Sequence, residues 1–379
     1  MVSFKPQKGE IVFDVGFPGN HKHADVYYHL PDSTEYFYFG NTVTNKAINI
    51  FTFDNKLKWS IPLNEVLKNC DAIDNFGIID PDTVLVLSQY SNLLFWVNSK
   101  GECYNKVWLD TVVINEKGDF FEFSSSIYQT FVVDRSTLFL AGAWKLNENY
   151  APEKGSKDYL LSWFNKGMRK AAQVLQVKIK GTEIRGYTYG AYGLYDAIVT
   201  NNHSMVSDPP YMAFGGNKYF KTSVASDKIF EINPVDMKII GKHQVLSDET
   251  KIGCSPYDCS PDLEGKKSGF SDWVATSMRI TGNINRIMYD PFRKFYYVSV
   301  YYAVPKETPD EENGSIRDWS LLVYDTAFNK ISETKFKGRQ YSCGHQVVCR
   351  KGLLISTTFL DREDYDSKKT TFKLFKIES

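Results

Sequence analysis

The residues able to do chemistry are scattered, and only a few stand at suggestive spacings. His21-Lys22-His23 puts two imidazoles on one side of an extended chain, where both could reach one ion. No carboxylate or third histidine has a fixed relation to them, so exposed histidines are the ordinary reading and no metal is expected. Arg279 and Arg286 carry guanidinium forks suited to a carboxylate or phosphate. The competing reading has them satisfying carbonyls and carboxylates between neighbouring elements. Cys343-Gly344-His345 sets a thiol two residues from an imidazole, which does not define a catalytic dyad. Cys254 and Cys259 bracket Ser-Pro-Tyr-Asp in a polar stretch. That spacing admits a small disulfide-closed loop, two free thiols or, least of all, a metal site. Tyr187, Tyr189, Tyr192 and Tyr195 alternate with glycines. Such a run suits an adaptable surface for a sugar or peptide, or a loop packing its own rings. The sequence contains no GxSxG elbow, HExxH, P-loop, GxGxxG or CxxC. No catalytic residue and no cofactor are therefore assigned.

What would hold these residues is a repeated hairpin. Its clearest copy is IMYDPFRKFYYVSVYY, residues 287–302. Asp290-Pro291 fits the first two positions of a type I turn, because Pro pre-sets φ and Asp can bond its own backbone two residues on. The aromatic and β-branched run from Phe295 to Tyr302 suits a buried strand. Turn-then-apolar-strand units recur at residues 30–39, 79–87, 133–141, 214–222, 289–299 and 349–357. A second apolar run follows each. Every unit thus supplies about four antiparallel strands, and the sequence predicts an all-β, six-bladed β-propeller in one domain. The expected blades are residues 18–63, 70–109, 127–180, 211–245, 283–336 and 341–379. The last unit lacks its outermost strand, and residues 10–17 are expected to supply it by pairing with residues 371–378. Residues 64–69 suit one helical turn, and QVLQVKI (173–179) is expected as the fourth strand of the third blade.

Long insertions interrupt this pattern at residues 145–158, 181–211, 246–282 and 305–318. In a propeller these connections fall on one face, and long loops on a rigid scaffold are where function concentrates. His23, His203, Arg279, Arg286 and His345 would enter the channel mouth on that face. With the four tyrosines they are the candidate ligand-binding residues for a glycan, peptide or protein. An enzyme at the channel mouth, such as a metal-dependent lactonase or a lyase, is the alternative.

Composition narrows the partners. The chain has 379 residues, 42% of them hydrophobic and 15% aromatic, ample for cores between blades. Lys plus Arg and Asp plus Glu both number 45, so no global attraction to nucleic acid or an anionic membrane is implied. No apolar run reaches the length of a membrane span.

Unequal repeats without Gly-His and Trp-Asp signatures are unlike WD40 proteins and resemble six-bladed propellers of the TolB-like or NHL-like kind. More narrowly, NINRIMYDPFRKFYYVSVYY (283–302) followed by SLLVYDTAFNKISETKF (320–336) resembles uncharacterised propeller proteins of Bacteroidetes-type bacteria. The resemblance implies an exported lipoprotein, periplasmic or attached to the outer membrane; separately, a monomer is expected. This sequence has no Cys near residue 1, so an anchor would lie outside it; a cytoplasmic protein is the alternative.

Overall fold

The computed structural model describes residues 2–16, 23–29, 34–41, 46–70, 73, 75–80, 82–88, 93–109, 120–123, 131–134, 136–145, 174–191, 204–205, 211–215, 217–222, 226–253, 257–258, 279–305, 317–359 and 362–378. The chain is all-β, and four of its sheets are four-stranded with strands in sequence order. The first sheet is His23–His29, Thr34–Asn41, Ala47–Thr52 and Leu57–Pro62, followed by a short helix, Asn64–Leu67. The second is Asn75–Asp80, Thr83–Ser88, Leu93–Val97 and Cys103–Trp108. The fourth is Tyr211–Gly215, Lys218–Thr222, Lys228–Ile232 and Ile239–Gln244. The fifth is Asn283–Asp290, Phe295–Tyr301, Trp319–Tyr324 and Lys330–Phe336.

Burial explains the sequence pattern. Middle strands such as Leu93–Val97 (LLFWV) and Trp319–Tyr324 (WSLLVY) are buried at every residue, so they need apolar or small residues throughout. Outermost strands such as Cys103–Trp108 alternate between half-buried and exposed, because one face meets water. At the fifth sheet's hairpin, Asp290 Oδ1 accepts the N–H groups of Phe292 (2.9 Å) and Arg293 (3.0 Å), as the Asp-Pro pair requires.

The third sheet departs from the expected boundaries. Val174–Lys180 is its third strand, and Glu183–Gly190 is the fourth. Gly181, at φ +61°, makes the tight turn between them. Residues 183–190 are therefore sheet, not the start of a loop insertion. Their Gly and Tyr content reads as loop, but ladder bonds to residues 174–180 decide the outcome. Phe120–Phe123, which falls between the expected second and third blades, pairs with Gly142–Lys145.

The N-terminal segment joins the last sheet, but in two pieces instead of one. Ile11–Asp14 pairs with Lys369–Phe372, and Ser3–Pro6 pairs with Phe375–Glu378. Gly9, at φ +75°, lies between them. The register therefore differs from the expected match of 10–17 with 371–378. The other strands of this sheet are Gly352–Ser356 and Gln346–Cys349. Phe13 is fully buried among Phe37, Phe39 and Phe51 of the first sheet and Phe372 of the last. Asn49 Nδ2 donates to the Val15 carbonyl at 2.8 Å.

The chain divides into two compact units. One comprises residues 1–108, 288–299 and 315–379; the other comprises residues 109–287 and 300–314. The second unit contains the insertions 145–158, 181–211 and 246–282 and most of 305–318.

Candidate functional site

Two insertions of the second unit are tied together. Ser204–Met205, inside one insertion, pairs with Tyr257–Asp258, inside another. The 246–282 insertion is pinned where it leaves and rejoins the sheets. Gly253 N–H donates to the Gly282 carbonyl at 2.9 Å, and Gly282 N–H to the Lys251 carbonyl at 3.0 Å. A Cβ at Gly282 would lie 2.7 Å from that carbonyl oxygen, so only glycine fits there. The approach to the fourth insertion joins the same base: Val304 N–H donates to the Arg279 carbonyl (2.9 Å) and Ala303 N–H to Thr250 Oγ1 (3.3 Å). The segments 250–253, 279–282 and 303–304, remote in sequence, thus share one foundation of hydrogen bonds.

Arg279 stands at this foundation, half-buried, beside Ile280, which is 37% exposed. Arg286 is half-buried on the strand Asn283–Asp290, flanked along it by buried Asn285 and Ile287. Tyr187 and Tyr189 sit elsewhere. They are two residues apart on the outermost strand of the third sheet, opposite buried Val177 and Leu175, with their rings edge-to-face at 5.5 Å. Tyr187 is 47% exposed, so the pair offers ring surface on a sheet, not a loop tip. His345 belongs to the first unit, where its carbonyl accepts the Ser356 N–H at 2.9 Å. Its neighbour Gln346 is buried, taking the Ser299 hydroxyl (3.0 Å) and donating to the Cys343 carbonyl (2.7 Å). His23 lies on the first strand of its sheet, opposite Gly40. Tyr192, Tyr195, His203, Cys254 and Cys259 fall outside the described residues.

Two charged clusters were not anticipated from sequence. In the fourth sheet, Glu231 binds Lys218 Nζ at 3.0 Å and His243 Nε2 at 2.8 Å. Burial alone would raise the Glu231 carboxyl, but the bonds from His243 and Lys218 outweigh it and hold it below the usual range. Period-2 alternation places Glu231 and His243 on one face, which was the available signal. In the first unit, the fully buried Asp290 carboxylate accepts Arg293 Nη1 and the Tyr297 hydroxyl, both at 2.8 Å. Burial in that setting pushes the Tyr297 phenol far up. Arg293 also donates to the carbonyls of Cys349 (3.3 Å) and Arg350 (2.8 Å), linking two hairpin turns.

Comparison with known proteins places the fold. A DUF4221 family member from Bacteroides vulgatus is similar over 100% of this chain and 99% of its own, with a TM-score of 0.73 and 20% identity. The chain shares that protein's fold. More distant are the β-propeller domain of Cps50 (Swd1) from Myceliophteria thermophila and the calcium-binding protein regucalcin from Agrobacterium tumefaciens. The first has a TM-score of 0.43 at 8% identity, covering 97% of this chain and 99% of that one. The second has a TM-score of 0.45 at 10% identity, covering 98% and 93%. Likenesses that distant assign no chemistry here. No protein-family model and no curated protein matches the chain.

Proposed function

We propose that the chain is a six-bladed propeller, closed by its N-terminal strands, that binds a glycan, peptide or protein through the insertions of its second unit. The observation that carries the binding reading is that these insertions bond to one another, through the Ser204–Met205 and Tyr257–Asp258 ladder and through the base formed by the Val304-to-Arg279 and Ala303-to-Thr250 bonds. Backbone bonds between loops fix their roots, so a ligand held there meets a preorganised surface and loses less ordering entropy on binding. Arg279 supplies a cation at that base, suited to a ligand carboxylate. The exposed Tyr187 ring and the half-buried Tyr189 ring beside it supply stacking area on the third sheet. In this reading the protein is monomeric and works outside the cytoplasm, in the periplasm or at the outer membrane.

A glycan and peptide screen read by thermal shift tests the proposal. Arg279→Gln should weaken hits by roughly 1–3 kcal/mol. Tyr187→Ala with Tyr189→Ala should do the same for hits that stack. Hits indifferent to all these substitutions would refute the site.

A further inference from the structure

We infer that the outer strands carry a built-in guard against strand addition, so that neither a second copy of the chain nor a partner's strand extends these sheets. Among the described residues, each of the first five sheets has one residue on its outermost strand with no opposite number on the strand inside it. These extra residues are Lys58, Tyr104, Arg185, Ile240 and Ile331. Each follows a pair that already closes the hairpin, such as Phe51 with Leu57 or Val97 with Cys103, so the turn alone does not call for it. The ladders between second and third strands of the first four sheets run without a break. Those between first and second strands carry an extra residue in two of the four, Ile79 and Val133. The bulge therefore recurs where a sheet ends. The last sheet ends on the N-terminal strands, and there residues 7–10 stand opposite 373–374, between the pairs Pro6–Phe375 and Ile11–Phe372.

An extra residue bends its strand and breaks the regular spacing of outward N–H and C=O groups that an added strand would need. Lys58, Tyr104, Arg185 and Ile240 are all exposed, so these bulges lie at the surface. A second feature acts with them. Each of these four strands has an exposed cation at the extra residue or two positions after it: Lys58, Lys106, Arg185 and Lys242. A strand laid alongside would have to strip water from that side chain, whatever its own partner. The same edges expose more than half of Trp108 and Ile240, apolar surface that would make an unguarded edge prone to association.

Deleting Tyr104 or Ile240 tests this. Without Tyr104, Cys103 still faces Val97 and Asn105 still faces Trp96; without Ile240, Ile239 and Gly241 keep Ile232 and Glu231. The edge is straightened while every other residue stays on its own face. An exposed side chain is also lost, so the deletion adds no apolar surface of its own. Light scattering should give the mass of one chain for the unaltered protein, and a concentration-dependent rise towards two chains or more for either deletion. Tyr104→Ala and Ile240→Ala, which keep the extra residue, should stay at one chain. A deletion variant that retains its melting temperature and the mass of one chain would overturn the inference, as would alanine variants that associate as readily as the deletions. If both deletions unfold, hydrogen exchange in the unaltered protein decides. Amides of the outer strands Leu57–Pro62 and Cys103–Trp108 should exchange equally fast in dilute and concentrated solution, and protection that grows with concentration would overturn the inference.

Discussion

Phe13→Ala removes the residue through which the N-terminal segment is packed. The ring is fully buried, with centroids of Phe39 at 5.0 Å, Phe37 at 5.6 Å, Phe51 at 5.7 Å and Phe372 at 6.0 Å. Phe→Ala at a core site costs about 3–5 kcal/mol, comprising lost transfer energy and a residual cavity. The upper half of that range applies here, because paired strands on both sides limit collapse around the hole. Aromatic pair energies of ~1 kcal/mol are already contained in it. Phe4→Ala is the control. Phe4 is half-buried and meets the Tyr297 ring at 5.9 Å, so about 1 kcal/mol is expected. Urea unfolding measures both. With an m-value of ~3 kcal/mol/M, Phe13→Ala should lower the midpoint by more than ~1 M and Phe4→Ala by a third of that. Hydrogen exchange should assign the loss to residues 369–378, the partners of the N-terminal strands. A Phe13→Ala midpoint shift no larger than that of Phe4→Ala would refute the packing argument, and with it the N-terminal closure.

Other consequences can be checked alongside. Glu10 and Arg362 pair bidentately, at 3.0 and 3.2 Å, and the bond from Arg362 holds the Glu10 carboxyl below its ordinary value. A lowered carboxyl stabilises the fold above its unfolded pKa, and the contribution is lost as pH falls through the folded one. Hydrogen exchange at residues 11–14 should therefore quicken below the ordinary glutamate range, and Glu10→Gln should abolish that pH dependence. Arg293→Met leaves buried Asp290 without its cation and should cost about 3–5 kcal/mol in denaturant unfolding, whereas Tyr297→Phe should cost about 1.5–3 kcal/mol. Gly101→Ala places a Cβ 2.3 Å from the Pro62 carbonyl at φ +83° and should destabilise strongly; Gly181→Asn, with open space at φ +61°, should leave the melting temperature nearly unchanged. Burial pushes the Cys349 thiol up to about 12, so a thiol reagent at neutral pH should leave it unmodified until the protein unfolds.

Much of the fold was legible because its rules are local. Asp290-Pro291 announces a turn through backbone chemistry confined to four residues, and a fully apolar run such as Leu93–Val97 announces a strand covered on both faces. The strand Glu183–Gly190 was missed for the opposite reason. Its partner strand supplies the bonds that make Gly-rich, Tyr-rich sequence extended, and composition carries no record of the partner. The same limit hid the contact of Arg293 with the turn 57 residues downstream. Of the candidate site, residue types could be chosen from sequence, but their grouping could not. Tyr187 and Tyr189 stayed together because residues two apart share a face. Nothing in the order of residues showed that Val304 would bond to Arg279.

The pairing of Ser3 with Glu378 bears on how the chain is made. Strands near the start of this sequence have their sheet partners near its end, and so are synthesised long before them. Until then Phe13 and the phenylalanines of the first sheet wait without their final cover, a period in which a chaperone or a second nascent chain can occupy them. The ends also finish about one strand spacing apart, roughly 5 Å between partner backbones. A short linker across them, with new ends cut at the exposed turn beside Asn55, should give a circular permutant whose first sheet can be completed late instead.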